Sequence, residues 1–181
     1  MNQMMLRPAT LSDRAMIRSI SERTWPSTYG HIISQEQIDF MLDWMYSDES
    51  LATQMNTGCE FYIANLNGAD IGFCSVSPDD EKVEEKEENN STKKTEGAKA
   101  HKLNKLYVLP SAQGTGAGKA LLNQAIEVAK AAGSSSIFLQ VNKHNNAYSF
   151  YLKQGFIKET EFKFDIGNGF YMDDYVMRLT F

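Results

Sequence analysis

The feature that most limits how this chain can fold is a glycine-containing loop between an apolar strand pattern and a long helical pattern. The strand pattern is Leu106-Tyr107-Val108-Leu109, and glycines follow at positions 114, 116 and 118. The first N–H groups of a helix have no partner inside the helix and lie at the positive end of its dipole. Glycine leaves this backbone open to a phosphate because it has no Cβ. The segment therefore predicts a strand, a pyrophosphate-binding loop and a helix, with Lys119 as an additional positive charge.

Two common phosphate-binding motifs do not fit this loop. A Walker loop requires G-x-x-x-x-G-K-[ST], whereas Gln113 stands where the first glycine belongs and Ala120 follows Lys119. The dinucleotide motif G-x-G-x-x-G fails because the three glycines are evenly spaced by two. A tight turn from strand to helix, without any ligand, is the alternative interpretation of the glycines.

The rest of the chain alternates between strand and helix patterns. A short strand at Met5-Leu6-Arg7 precedes a helix that begins at Thr10 and is expected to end at Pro26. The dipeptide Asn67-Gly68 predicts a β-hairpin over residues 60–77. Further helices are predicted directly after Ser34 and over residues 51–55, 116–132 and 146–154. Further strands are predicted over residues 102–109, 136–141, 156–164 and 170–181. This order predicts an α/β fold in a single domain spanning residues 1–181.

Length and composition fit one ordinary domain. The 181 residues are 42% hydrophobic and 23% charged, which is enough to bury one core. The formal net charge of -5 disfavours a nucleic-acid partner, because phosphate backbones bind basic faces. No apolar run approaches the roughly 18 residues of a membrane span, and the first residues do not have the pattern of a secretory signal. We therefore expect a cytoplasmic protein with no membrane and no nucleic-acid partner.

One stretch, at about residues 79–98, differs in composition from the rest. It consists almost entirely of charged and small polar residues and has almost nothing to bury. We expect an exposed, mobile insertion that joins two strands of one sheet.

The cysteines and histidines predict no metal site. Cys59 and Cys74 form no C-x-x-C pair, and His31, His101 and His144 are scattered along the chain. Free thiols are the expectation for both cysteines.

Two motifs in the expected order resemble those of the GNAT acyltransferase superfamily. Gln113-x-x-Gly116-x-Gly118 is similar to the family's Q/R-x-x-G-x-G/A loop, and residues 106–110 are similar to its fourth strand. Residues 145–156 are similar to its N-x-A-x-x-F-Y-x-x-x-G-F helix. The order of the other elements also fits, so the resemblance covers nearly the whole chain. It implies a single-domain GNAT fold, in which a mixed, twisted sheet of about seven strands is flanked by helices.

The resemblance also implies a cofactor, acetyl-CoA, and the residues that bind it. The backbone of Leu106, Tyr107 and Val108 would pair with the pantetheine arm, and Asn145 would hydrogen-bond the cofactor. The pyrophosphate would be held by the loop and the start of its helix, which comprise Gln113, Gly114, Thr115, Gly116, Ala117, Gly118 and Lys119.

The chemistry that the resemblance implies is acetyl transfer to a primary amine by direct attack in a ternary complex. Tyr151 would protonate the departing thiolate, whereas without the motif it would be interpreted as a core aromatic residue. An alkylamine, with a pKa of about 10, must lose a proton before it attacks. Many relatives carry a glutamate for this step on the fourth strand, but the nearest position here is Lys102. The general base is therefore left unassigned.

Residues 24–32, 45–47 and 167–175 are similar to the spermidine/diamine N-acetyltransferase-like branch of the family. This narrower resemblance implies a polyamine or another small amine as the acceptor, with Trp25, Tyr29 and His31 on one wall of its site. Asp173 and Asp174 would suit a polycation, but a solvated strand edge is the preferred interpretation of this pair.

Other functions stay open on the sequence alone. The chain could be a CoA-binding sensor without turnover, a nucleotide-binding interaction protein, or an acetyltransferase acting on protein N-termini. The resemblance also implies a homodimer as an expectation, because relatives often form one.

Overall fold

The computed structural model describes residues 3–79 and 99–181. Within these ranges the strands are β1 (Met4–Pro8), β2 (Glu60–Leu66), β3 (Ala69–Pro78), β4 (Ala100–Val108), β5 (Ser136–Asn142), β6 (Ile157–Gly167) and β7 (Phe170–Thr180). The helices are α1 (Arg14–Tyr29), α2 (Gln35–Tyr46), α3 (Asp48–Asn56), α4 (Ala117–Ala131) and α5 (Ala147–Lys153). The strands form a 7-stranded sheet in the order β1-β2-β3-β4-β5-β7-β6. Among the strands of the described ranges, only β4 and β5 pair in parallel. The predicted α/β fold with a mixed sheet is confirmed.

The hairpin of β2 and β3 forms as its turn dipeptide predicts. Asn67 and Gly68 have φ values of 53° and 88°, the left-handed values that a two-residue hairpin turn requires. The Gly68 N–H donates to the Asn65 side chain over 2.9 Å, which closes the turn. The hairpin brings β3 beside β4, where the loop begins.

The predicted end of the first helix at Pro26 is wrong, because α1 continues to Tyr29. Proline removes one N–H donor from the helix, but its carbonyl still accepts the Gly30 N–H over 2.9 Å. Trp25 and Tyr29 pack against each other across the proline, with ring centroids 4.5 Å apart. This packing explains why the helix tolerates Pro26, and it keeps both aromatic residues on the inner face of α1.

The parallel pairing of β4 with β5 is short, and this shapes the site. The register runs only from Ala100 opposite Ser136 to Leu103 opposite Leu139. On its other edge β4 stays paired with β3 up to Val108. A bulge lies at Asn104, where the register with β3 shifts between Ser75 and Val76. Beyond Leu103, no strand in the described ranges pairs with the edge of β4 that faces β5, so a V-shaped opening separates the two strands.

The core lies on both faces of the sheet. On one face α4 contributes Leu121, Leu122 and Ala125, all fully buried. On the other face α1 and α2 pack aromatic side chains, including Trp25 and Tyr46, towards Phe73 of β3. Both α4 and α1 contact β4, so this strand is packed on both faces beside the opening.

Several predictions concern segments outside these elements. The charged insertion lies, except for its first residue, outside the described residues. Cys59 and Cys74 are free thiols as predicted, and Cys59 lies just before β2. Among the helices that the structure describes, none combines the length and the apolar character that a membrane crossing needs.

Candidate active site

The glycine loop presents a row of free backbone donors at the start of α4. Gly114 and Gly116 have φ values of 80° and 88°, and Gly116 is the N-cap residue of the helix. Within the part of the chain that the structure describes, the N–H groups of residues 114–119 donate no hydrogen bond. The Thr115 hydroxyl donates to the Ala112 carbonyl over 2.7 Å, which fixes the shape of the loop. A diphosphate fits this arrangement, because its oxygens accept from several donors at the positive end of a 15-residue helix.

A cavity of about 480 Å³, here named the loop-side cavity, opens beside these donors. Its walls bring together predicted cofactor residues from β4, the loop and the start of α5. They include Leu106, Tyr107, Val108, Gln113, Gly118 and Asn145. Tyr151 also lies on this cavity, and so does His31. His31 therefore lies with the loop residues and apart from the cavity that contains Trp25.

Asn145 is held by the first turn of α5. Its Oδ1 atom accepts the Ala147 N–H over 2.9 Å. The Asn145 side chain also interacts with the Tyr29 hydroxyl, and it lines the loop-side cavity, where its Nδ2 group can donate to a ligand.

A second cavity of about 430 Å³ lies across the sheet opening and is named the aromatic cavity. Its walls come from α1, α2, β4, β5, β6 and β7. The aromatic side chains on it include Trp25, Tyr29, Trp44, Tyr46, Phe164 and Tyr171. Trp25 and Tyr29, two of the predicted acceptor residues, are therefore on the same cavity.

A small cavity of about 50 Å³, named the junction, lies in the opening between β4 and β5. It shares Tyr29, Lys105 and Gln140 with the aromatic cavity, and Asn145 and Tyr151 with the loop-side cavity. Tyr107 lines all three cavities. The Tyr29 and Tyr107 hydroxyls are 2.9 Å apart and form a hydrogen bond at this meeting point. Ligands in the two large cavities can therefore meet through the sheet.

The tyrosines at the junction stay protonated near neutral pH. Burial raises the pKa of Tyr151 well above its ordinary value, and the nearby Tyr29 adds to the effect. Burial likewise raises the pKa of Tyr107. A protonated phenol can donate a proton to a strongly basic leaving group.

The aromatic cavity also contains an acid that sequence analysis interpreted differently. Asp174 is 3% exposed and lines this cavity. The expectation of a solvated strand edge is wrong, because β7 lies between β5 and β6 and is an inner strand of the sheet. Burial raises the pKa of Asp174 to about 6, and the neighbouring Asp173 contributes to the rise.

Two lysines of β4 line the same cavity. The Lys102 Nζ atom donates to Gln140 over 3.4 Å, and the Lys105 Nζ atom donates to Gln54 over 2.6 Å. Neither lysine forms an ion pair among the described residues. Burial lowers the pKa of Lys105 to about 8, so this lysine is largely positive at neutral pH.

Sequence analysis missed Lys105, Gln140 and Asn142 as cavity residues. A sequence pattern did indicate Gln140 and Asn142, because they are polar residues at alternating positions of an otherwise apolar strand. The alternation of side chains along β4 does not predict that Lys105 lines the cavity, because the bulge at Asn104 changes which side chains of this strand share a face.

This chain matches known proteins over most of its length. The model of the Acetyltransferase (GNAT) family matches residues 15–156. An N-acetyltransferase from the pepI 3′ region of Lactobacillus delbrueckii subsp. lactis is 28% identical over 152 residues, which cover 83% of this chain and 82% of that protein. The spermidine N(1)-acetyltransferase of Thermoplasma acidophilum is 26% identical over 163 residues, which cover 86% of this chain and 90% of that protein.

A solved structure shares the fold over the full length. The PaiA N-acetyltransferase of Thermoplasma acidophilum, in complex with coenzyme A, superposes with a TM-score of 0.74 at 24% identity and covers 99% of both chains. The family model spans most of this chain, from α1 to the end of α5. The chain therefore belongs to the GNAT family of acetyltransferases, enzymes that use acetyl-CoA as the acetyl donor.

Proposed function

We propose that this protein transfers an acetyl group from acetyl-CoA to the primary amine of a small molecule, with both substrates bound at the same time. The observation that carries this proposal is the junction, where the loop-side cavity and the aromatic cavity meet at Tyr107. Two ligands, one in each cavity, can react there directly, so no covalent enzyme intermediate is needed.

In this proposal the loop-side cavity binds the cofactor. The free N–H groups of residues 114–119 hold the diphosphate, and Gln113 and Lys119 border it. The unpaired edge of β4 at Leu106, Tyr107 and Val108 offers backbone groups to the amides of the pantetheine arm, and Asn145 donates from its Nδ2 group. When bound, acetyl-CoA supplies a thioester carbonyl as the electrophile.

Tyr151 is the proposed proton donor to the departing thiolate. Its side chain lines both the loop-side cavity and the junction. Its raised pKa keeps the phenol protonated until the sulfur becomes basic. A proton delivered at this stage prevents the thiolate from attacking the new amide.

For the acceptor, the charges of the aromatic cavity favour a small amine with a single positive charge over a polyamine. Lys102 and Lys105 both line this cavity and repel a second ammonium group, whereas Asp174 can attract one. The aromatic walls suit the apolar part of such a molecule and can stack on its cation. The spermidine acetyltransferase among the relatives keeps a polyamine as the competing acceptor.

Release of free thiol from acetyl-CoA in the presence of pentylamine, 1,5-diaminopentane or 5-aminopentanoate tests the proposal. Tyr151→Phe should lower kcat by about 100-fold or more while CoA affinity changes less than about twofold. Tyr148→Phe is the matched control, because Tyr148 lies on the same helix and packs against Tyr175 away from the junction. It should keep wild-type kcat.

The competing functions give different results in the same assay. Tight CoA binding without thiol release in the presence of any amine or peptide would indicate a sensor. Release that is accelerated only by peptide N-termini would contradict a small-molecule acceptor.

A further inference from the structure

The inner strand β7 carries a buried acid that the proposed mechanism does not yet use. Asp174 lies opposite Asn142 of β5 on one side and opposite Phe162 of β6 on the other. It is 3% exposed and lines the aromatic cavity. Its neighbour Asp173 points away from that cavity and forms an ion pair with Lys143 over 2.8 Å. The two adjacent acids therefore have different surroundings.

The Asp174 carboxylate has no close partner among the described residues, although the positive charge of Lys102 acts on it across the same cavity. Among the described residues it accepts no hydrogen bond and forms no ion pair, whereas buried carboxylates ordinarily do both. Ionisation of a carboxyl group at this buried position costs free energy, and a cationic ligand in the cavity would compensate for that cost. The ammonium group of an acceptor amine is such a ligand.

The charged and titratable groups around Asp174 come from four elements, which are β4, α1, β7 and α2. β4 contributes Lys102 and Lys105, and α1 contributes Tyr29. On β7 itself Asp173 is adjacent and Tyr171 lines the cavity. β5 faces the cavity with uncharged Gln140 and Asn142, β6 with Phe164, and α2 with uncharged side chains, the titratable Tyr46 among them.

Asp174 also lies within electrostatic reach of the reaction centre. Its negative charge contributes to the raised pKa of Tyr29. The Tyr29 hydroxyl is hydrogen-bonded to the Tyr107 hydroxyl, which lies at the junction. An ammonium placed between Asp174 and the tyrosine pair would therefore stand next to the thioester position.

We propose that Asp174 receives the ammonium group of the acceptor and takes one proton from it. This inference rests on the proposed function. The transfer turns the ammonium into a neutral amine and the carboxylate into a carboxylic acid. The freed lone pair then forms the new C–N bond as the C–S bond breaks. Tyr151 gives its proton to sulfur, and its phenolate accepts the second proton of the nitrogen. The proton on Asp174 leaves to solvent, so one proton is released per acetyl group transferred.

The pH dependence follows from this assignment. Asp174 must be ionised before the amine binds, and its pKa of about 6 makes kcat/KM rise with pH up to about 6 and then level off. The plateau continues until the free amine titrates at a pKa of about 10. Without the carboxylate, only the neutral amine can react, and at pH 7 that is roughly one molecule in a thousand.

The pH profile of kcat/KM for pentylamine tests the inference in three variants. In Asp174→Asn kcat/KM should have no plateau and should rise about tenfold for each unit of pH between about 6 and 9, so that its deficit relative to the wild-type protein shrinks with pH. Asp174→Glu keeps a carboxylate and should recover part of the plateau. Asp173→Asn is the matched control on the same strand and should keep the wild-type plateau, with its rise at a somewhat lower pH because the Asp173 charge contributes to the raised pKa of Asp174.

The outcomes separate this inference from the proposed function. If Asp174→Asn keeps the wild-type plateau, or loses the same factor at every pH, Asp174 is not the proton acceptor. The same conclusion follows if Asp174→Glu is no better than Asp174→Asn while both bind CoA normally by calorimetry. If the wild-type protein acetylates no amine of any class, the proposed function itself fails.

Discussion

Gly116 and Gly133 lie at opposite ends of α4 and form a matched pair for testing the cofactor loop. Their φ values are 88° and 81°, both in the left-handed region. A Cβ atom added at either position would meet nothing within 4 Å. Substitution by alanine therefore introduces the same backbone strain at both ends and no steric clash at either. Only Gly116 adjoins the free N–H groups of residues 114–119.

The strain has a predictable size. Holding an L-residue in the left-handed region costs about 1–2 kcal/mol. For a protein of this length that should lower Tm by about 2–8 °C in both Gly116→Ala and Gly133→Ala. At Gly116 the backbone can relieve the strain by rotating peptides of the loop, which turns donors away from the diphosphate. A loss of about 1.4 kcal/mol in binding free energy corresponds to tenfold weaker CoA binding.

Calorimetric titration with CoA and thermal unfolding of both variants measure these effects. We expect a similar decrease of Tm in both, and a CoA affinity about tenfold weaker in Gly116→Ala alone. If the two variants lose the same CoA affinity, or if Gly116→Ala binds CoA as well as the wild-type protein, the backbone donors of this loop do not hold the cofactor.

Two further predictions concern the charges of the aromatic cavity. Lys102→Glu reverses one charge of this cavity. The ratio of kcat/KM for 1,5-diaminopentane to kcat/KM for 5-aminopentanoate should therefore rise at least about tenfold. A ratio that stays within twofold would contradict the role of the lysine. Asp174→Asn should raise the free energy of unfolding at pH 7 by about 1–3 kcal/mol, because burial raises the pKa of this carboxyl to about 6 and penalises its ionised form. The gain should be complete above pH 6 and disappear below about pH 4, where the carboxyl is protonated in both the folded and unfolded protein. Urea unfolding at pH 7 and below about pH 4 measures this gain in the free energy of unfolding. A gain that persists in acid would show that the ionised form of Asp174 is not its cause.

Local patterns predicted the parts of the fold that depend on local physics. Asn67-Gly68 predicted the hairpin because few residue pairs adopt left-handed φ at two successive positions. The apolar spacing of α4 predicted a helix whose inner face is now seen to be buried at Leu121 and Leu122. Pro26 was misjudged because its effect depends on the packing of Trp25 against Tyr29, which spacing does not reveal.

Long-range arrangement was the part that local patterns could not predict. The strand order places β7 inside the sheet although it is the last strand of the chain, and this buries Asp174. Nothing local to Asp173 and Asp174 distinguishes them, yet one forms an ion pair at the surface and the other faces a cavity. The early end of the pairing between β4 and β5, which creates the junction, is likewise a property of two segments far apart in the chain.

The central claim is that main-chain donors at the start of α4 bind the diphosphate of CoA. Calorimetric titration of the wild-type protein with CoA and with pantetheine, which lacks the diphosphate together with the adenosine 3′-phosphate, tests it most directly. We predict clear binding of CoA and binding of pantetheine at least about 100-fold weaker, a difference of about 2.7 kcal/mol. Equal affinity for the two molecules, or no heat of binding with CoA, would contradict the claim.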